Sequence, residues 1–408
     1  MPGSRLAPTR RATSIGCTTA RSSPPTLKKM PPCACRRPTR TDATEGSARR
    51  MTPKDRVATA LAHARPDRVP WDYWADPVLT GRLLDSLGLE TKEHLLRRLG
   101  VDLRYVAGPS YVGQEMRRHA DGTADDLWGV RRRTVVVERE GVCWTYKHVV
   151  ESPLAAAATV PDIEAYHGWP SPDWWDYEAL AQDCRACAPY AVVNAGDRLD
   201  RTAQLKPMMY LRGMEQVYAD LVQAPALVEA LLDRIVGYFL EYNRRVFEAA
   251  QGGIDLFMMG DDFGAQNGLL MEVGMWRRFF LPGFRAYVEL AHEFGIKVMH
   301  HTCGSVVELI PDFIDAGLDV LQSLQPQAAG MELGRLQREF GKDLSFHGSL
   351  DIQRVLPRGS PEEIRTMVRD RCRHGRDGGL ILCSAHNMPP DTPLENVLCL
   401  YDALQEYA

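Results

Sequence analysis

Seven short, almost wholly apolar runs, separated by longer amphipathic stretches, restrict the fold more than any other feature of this chain. They are VDLRYVAG (101–108), YAVVNAG (190–196), IDLFMMG (254–260), IKVMHH (296–301), DVLQSL (319–324), LSFHGS (344–349) and LILCSA (380–385). Most are continuous rather than alternating, the pattern of a strand covered on both faces. Helical stretches lie between them. Within 214–250, Leu227, Leu231, Ile235 and Phe239 form one i,i+4 stripe, and Val228, Leu232, Val236 and Leu240 the next, so a helix buried along a broad face is expected. Repeated strand–helix units predict an α/β fold with a parallel sheet, most economically a closed (β/α)8 TIM barrel, with an open doubly wound sheet as the alternative. GVRRRTVVVEREGVCWTYKHVV (129–150) alternates instead, and predicts an antiparallel hairpin insertion around Glu140-Gly141. YHGWPSPDWWDY (166–177) reads as a proline-punctuated loop whose aromatic residues pack into the core.

Composition narrows the class. Residues 1–50 carry 11 Lys/Arg against Asp42 and Glu45 alone, which leaves 38 basic and 51 acidic residues in 51–408. That acidic body repels phosphate backbones and anionic membrane surfaces, so neither nucleic acid nor membrane is an expected partner. The first 50 residues are rich in Arg, Ser, Thr and Pro and predict a disordered basic tail. Its acid-poor character fits an organelle transit peptide, but the text changes abruptly at Met51. There Thr52 can cap a helix and Pro53 suits its first turn, so Met51 reads as the start of the folded 51–408 barrel, and the tail as an artefact of start-codon choice. No run is long enough to span a bilayer and no secretory apolar core is present, so a cytoplasmic protein is expected. The ten cysteines, irregularly spaced, read as reduced thiols.

The residues able to do chemistry share one position relative to the strands. Asp261 and Asp262 follow the third run, His301 and Cys303 the fourth, and Gln325 the fifth; His347, Ser349 and Asp351 end or follow the sixth, and Cys383 and His386 the seventh. These are strand C-terminal ends, where barrel loops converge on one mouth. His301-x-Cys303 offers imidazole and thiolate to a soft divalent ion, with Gly304 allowing a tight turn beside it. With Cys383 or His386 as a third ligand, an open-sided zinc site is expected. Asp261 and Asp262 are candidates for acid–base or substrate-orienting work, and His347 is a candidate catalytic group. Gln266, Gln325, Ser349 and Asp351 are expected to bind substrate. His300, on the opposite face of the strand from His301, reads as packing, and His292 as solvated.

MTPKDRVATALAHARPDRVP, GDDFGAQNGLL, GIKVMHHTCGSVVELIPDFIDAGLDVLQSLQPQAAGM, FGKDLSFHGSLDIQRVLPRGSPEEIR and SAHNMPPDTPLENV together resemble the uroporphyrinogen decarboxylase superfamily across 51–408. The resemblance implies a (β/α)8 barrel and one of two chemistries, decarboxylation of a polycarboxylate tetrapyrrole or zinc-dependent methyl transfer with a corrinoid protein. The decarboxylases' R-Q-A-G-R and F-S-D-I motifs are absent; the corresponding RVPWDYWADPVLTGRLLDSLG offers only Arg82 in its later half. His301 and Cys303 match the methyltransferases' H-x-C zinc pair, while His386 stands where those enzymes have cysteine and the decarboxylases histidine. The expected function is therefore a zinc-dependent methyltransferase or demethylase using a corrinoid or thiol methyl carrier. A metal-free decarboxylase of an acidic tetrapyrrole or smaller acid is the alternative, and a silent corrinoid- or porphyrin-binding protein the third. A homodimer is implied by resemblance alone.

Overall fold

The computed structural model describes residues 51–139, 141–195 and 201–408. The expected tail, residues 1–50, lies outside the described residues. At Met51 onward the expected helix start is present: the Thr52 hydroxyl accepts from the Asp55 N–H, and Pro53 opens the helix Pro53–Leu61.

All seven apolar runs form strands, paired in chain order in one parallel sheet: β1 Leu103–Val106, β2 Ala191–Asn194, β3 Leu256–Gly260, β4 Lys297–His301, β5 Val320–Leu324, β6 Ser345–Leu350 and β7 Leu380–Ser384. Their two faces are both apolar. Leu103, Val193, Met258, Met299, Val320 and Ile381 meet in one cluster that fills the lumen. Their neighbours Val192, Phe257, Val298, Leu321, Phe346 and Leu382 join the larger cluster under the helices. This accounts for the continuous runs.

The wall is closed by a segment the hydrophobic pattern does not reveal. Trp71 forms a parallel bridge with Leu382 of β7; the Asp72 N–H donates to the Leu382 carbonyl (2.8 Å), and the Asp102 N–H to the Trp71 carbonyl (3.0 Å) at the head of β1. Residues 70–72 thus occupy the eighth strand position between β7 and β1, completing the (β/α)8 barrel. Below it, fully buried Asp102 accepts from Arg56 (2.6 Å), Arg68 (2.7 Å) and the Trp71 N–H (3.0 Å), which ties the closing segment to the barrel floor.

The stretch 214–250 is two helices rather than one, Met214–Gln223 and Pro225–Ala250. Pro225 lacks an N–H and forces Ala224 out of helical geometry (φ −137°, ψ 57°). The predicted insertion is present as Arg131–Arg139 paired antiparallel with Val142–Glu151, joined by a short third strand at Ala124–Asp125. The Trp-rich stretch packs as expected, with the Trp175 indole donating to the Tyr238 hydroxyl and Trp169 set edge-on against Trp128. Among the described residues no helix is long and apolar enough to cross a membrane.

Candidate functional site

Strand alternation sorts the mouth residues. On β4, Met299 and His301 face the lumen, while His300 turns outward among Phe263, Phe284 and Phe313. Burial drives His300 down to about 3, so it is a neutral packing residue. Gly260 sits opposite His301, and a Cβ there would come within 2.7 Å of the His301 Cβ; glycine leaves the room that this imidazole occupies.

His301 is buried and oriented. Its Nδ1 donates to Oε1 of Gln322, its register partner on β5, and its ring stacks on the Trp74 indole at 5.8 Å. The proton is thereby fixed on Nδ1, and Nε2 presents a lone pair. Nε2 lies 3.5 Å from Cys303 Sγ and 3.6 Å from Asp262 Oδ1. Burial first, and then the positive charge of Arg201, hold His301 well below the ordinary imidazole range, so it is neutral. The His386 ring centre lies 5.4 Å away, and ligand atoms of His301, Cys303 and His386 all fall within 4.8 Å of one another. A neutral imidazole, a thiol and a second imidazole converging on one point form a donor set that suits zinc. His386 fits with one adjustment: its Nδ1 accepts the Asn387 N–H (2.8 Å), which places its proton on Nε2. Ligation through Nε2 requires that proton to move and the Asn387 bond to break.

Burial and the Asp262 charge push the Cys303 thiol up to about 12, from an ordinary value of 9.0. In metal-free protein at neutral pH the thiolate fraction is then about 10³ below that of an ordinary cysteine. Iodoacetamide is accordingly expected to label exposed Cys143 far faster than Cys303, read by peptide mass spectrometry, with zinc absent. Comparable rates would show that Cys303 is already ionised.

The two adjacent aspartates do different work. Asp262 follows the inward positions Met258 and Gly260; its Oδ2 pairs with Lys206 (2.8 Å) and its Oδ1 accepts the Cys303 N–H (3.0 Å). Although burial works the other way, the Lys206 ammonium and the Cys303 N–H hold it below the usual carboxylate range. Asp261 corrects the expectation of a chemical role. It is turned away, 2% exposed, and accepts the N–H groups of Gln204 (2.5 Å), Leu205 (2.8 Å) and Lys206 (2.8 Å), capping the helix Leu205–Arg212 from a distance. Burial pushes its carboxyl up to about 6 against those three N–H groups.

Other expected site residues are engaged within the chain. Gln325 accepts the Gly304 N–H (2.7 Å) and so braces the Cys303 loop, while Gln266 donates to the Gln327 carbonyl (2.6 Å). Asp351 caps the helix Val355–Arg358 through the N–H groups of Gln353, Arg354 and Val355, and Ser349 is fully buried. His347 is also fully buried, 3.0 Å from Asp72, with its ring set edge-on to Trp74 at 6.3 Å. Cys383 is not an alternate ligand to His301: it lies within β7 at 1% exposure, facing the lumen beside His347, whereas His386 lies beyond the strand end.

Trp74, Arg201, Lys206 and Gln322 complete the site and were not singled out by sequence reasoning. Lys206 and Asp262 also line a cavity of about 870 Å³ between the hairpin (Tyr146, Val149) and the helices carrying Met209 and Tyr218. The insertion therefore walls a cleft that leads to Asp262.

Fold and site together define a (β/α)8-barrel protein with a candidate metal-binding cluster at its C-terminal mouth. The uroporphyrinogen decarboxylase (URO-D) family model matches residues 203–407, half of the chain, and the chain belongs to that family. It is similar to a methylated-thiol–coenzyme M methyltransferase of Methanosarcina mazei, 26% identical over 205 residues, which cover 50% of this chain and 52% of the relative. A uroporphyrinogen decarboxylase of Coxiella burnetii is likewise 26% identical, over 198 residues covering 47% and 50%. The chain spans about half the length of the curated relatives it matches. A solved methyltransferase from Methanosarcina mazei shares the fold, with a TM-score of 0.60 at 18% identity over 88% of this chain and 99% of that one.

Proposed function

We propose that this chain is a zinc-dependent methyl-transferring enzyme, with His301, Cys303 and His386 as the zinc ligands and a corrinoid or thiol as methyl carrier. The observation that carries the reading is the His301 site itself: a neutral imidazole with its proton fixed by Gln322, its Nε2 aimed at a thiol. The similarity to a methyltransferase supports it.

Zinc, when bound, would supply a Lewis acid that holds a thiol sulfur as thiolate or polarises a methoxyl oxygen. Gln322 orients His301 so that Nε2 faces that position. Trp74 covers the other face of the imidazole and excludes water. Asp262, kept ionised by Lys206, is a poor store for a proton; it accepts a hydrogen bond from substrate or ligand and balances the cationic charge of the mouth. The cleft beneath the hairpin admits the small-molecule substrate.

Decarboxylation of a polycarboxylate is the less well supported reading. Of the basic side chains that line the cleft, Lys206 is paired with Asp262 and Arg132 with Asp126 (2.5 Å), which leaves Lys147 and His148, few for many carboxylates. Elemental analysis separates the two. A His301→Ala, Cys303→Ser variant is expected to hold one zinc fewer than wild type and to lose thiol methylation by methylcobalamin. Equal zinc in both proteins, or a metal-free wild type that decarboxylates uroporphyrinogen, would overturn the proposal.

A further inference from the structure

A second group of metal-ligating side chains is buried beside Trp74, whose ring also packs on His301. Asp72 comes from the closing segment, His347 from β6 and Cys383 from β7, and their ligand atoms all lie within 4.8 Å of one another. None of the three is more than 1% exposed. Asp72 is a buried carboxylate with no lysine or arginine partner among the described residues; its neighbours are the His347 Nε2 (3.0 Å), the Tyr105 hydroxyl (2.6 Å) and the Tyr73 N–H (2.7 Å). A carboxylate this dry is costly without a compensating cation. Independently, the His347 Nδ1 is buried with no hydrogen-bond partner, an orphan of a kind native interiors seldom leave.

We propose that Asp72, His347 and Cys383 form a second, interior site for a soft divalent ion such as zinc, with the Tyr105 hydroxyl as the neighbouring fourth oxygen. Carboxylate, imidazole and thiolate are all ligand types that zinc takes in proteins. His347 Nε2 donates to Asp72, so ligation through it moves that proton to the unpartnered Nδ1, and the proton that leaves the site on binding is that of the Cys383 thiol. The ion would join the closing segment to β6 and β7, and Tyr105 would extend the link to β1 on its other side. That segment is joined to its neighbour sparsely: Trp71 forms an isolated bridge where β6 and β7 share a five-residue register. The inferred role is a staple that fastens the barrel shut, independent of the chemistry at the mouth.

The test uses the full chain, equilibrated with zinc and dialysed. Wild type is expected to retain about two zinc equivalents per chain, and the His301→Ala, Cys303→Ser and Cys383→Ala proteins about one each. In the His301→Ala, Cys303→Ser background, cobalt(II) should still give a thiolate charge-transfer band, and zinc should raise the Tm. Adding Cys383→Ala to that background should abolish both effects, with folding checked by circular dichroism. A folded His301→Ala, Cys303→Ser protein that binds neither ion and shows no Tm shift would overturn the proposal, leaving an interior hydrogen-bond network only. One zinc in both wild type and this double variant would support the interior site while refuting the mouth site.

Discussion

An Asp261→Ala chain is expected to lose about 3–6 kcal/mol of folding stability, against about 1 kcal/mol for Asp262→Ala next to it. The difference follows from what each carboxylate touches. Removing Asp261 strands two buried N–H donors and a part-buried third at the start of the helix Leu205–Arg212, and Gln204, the residue before that helix, supplies no side-chain cap of its own. Each unsatisfied buried donor costs about 1–3 kcal/mol, and loss of negative charge at a helix N-terminus adds to it. Asp262 is part-exposed, and its Lys206 ion pair is screened by solvent. Urea denaturation of the two variants at unchanged m checks this. Equal midpoints would mean that Asp261 does not cap the helix. Activity should order them the other way per unit of stability lost, because Asp262 faces the ligand cluster.

The second large effect belongs to His301. Taking about 12 kcal/mol as the free energy of a protein-bound zinc and a third of it per protein ligand, His301→Ala is expected to weaken zinc binding by about 10³-fold. Gln322→Leu should weaken it by about 10–100-fold, although Gln322 touches no metal. Without the Oε1 acceptor nothing holds the His301 proton on Nδ1, so the Nε2 lone pair is presented only part of the time. Competition with a chromogenic chelator measures both variants. A Gln322→Leu protein with wild-type affinity would show that the tautomer is set by something else. A fall as deep as that of His301→Ala would point to collapse of the mouth rather than to orientation.

The seven barrel strands were legible because burial on both faces writes itself as continuous apolar runs. The eighth position was not: RVPWDYW is interrupted by Pro70 and Asp72, and its place in the wall depends on Leu382 and Asp102, far away in sequence. Alternation also determines that Asp261 and Asp262 point to opposite sides. Which one faces the mouth depends on whether Met258 or Met259 lines the lumen, and two adjacent methionines do not say. His301 and Cys303 stood out because a ligand pair after a strand is a local signal. Gln322 did not, because its partner is set by strand register. Cys383 was misplaced by three residues' worth of depth, the distance between a strand's last turn into the lumen and the loop beyond it.

The closing segment has a consequence for synthesis on the ribosome. Residues 70–72 emerge early, but Leu382, whose backbone they pair with, is made about 310 residues later, at 5–20 residues per second. For tens of seconds the nascent barrel is an open trough, with Trp74 not yet anchored over His301 and the lumen exposed to solvent and chaperones. Both candidate ligand clusters include residues from the last strand or the loop after it, so neither donor set is complete before the end of translation. An ion supplied to a stalled chain lacking β7 would find neither site complete.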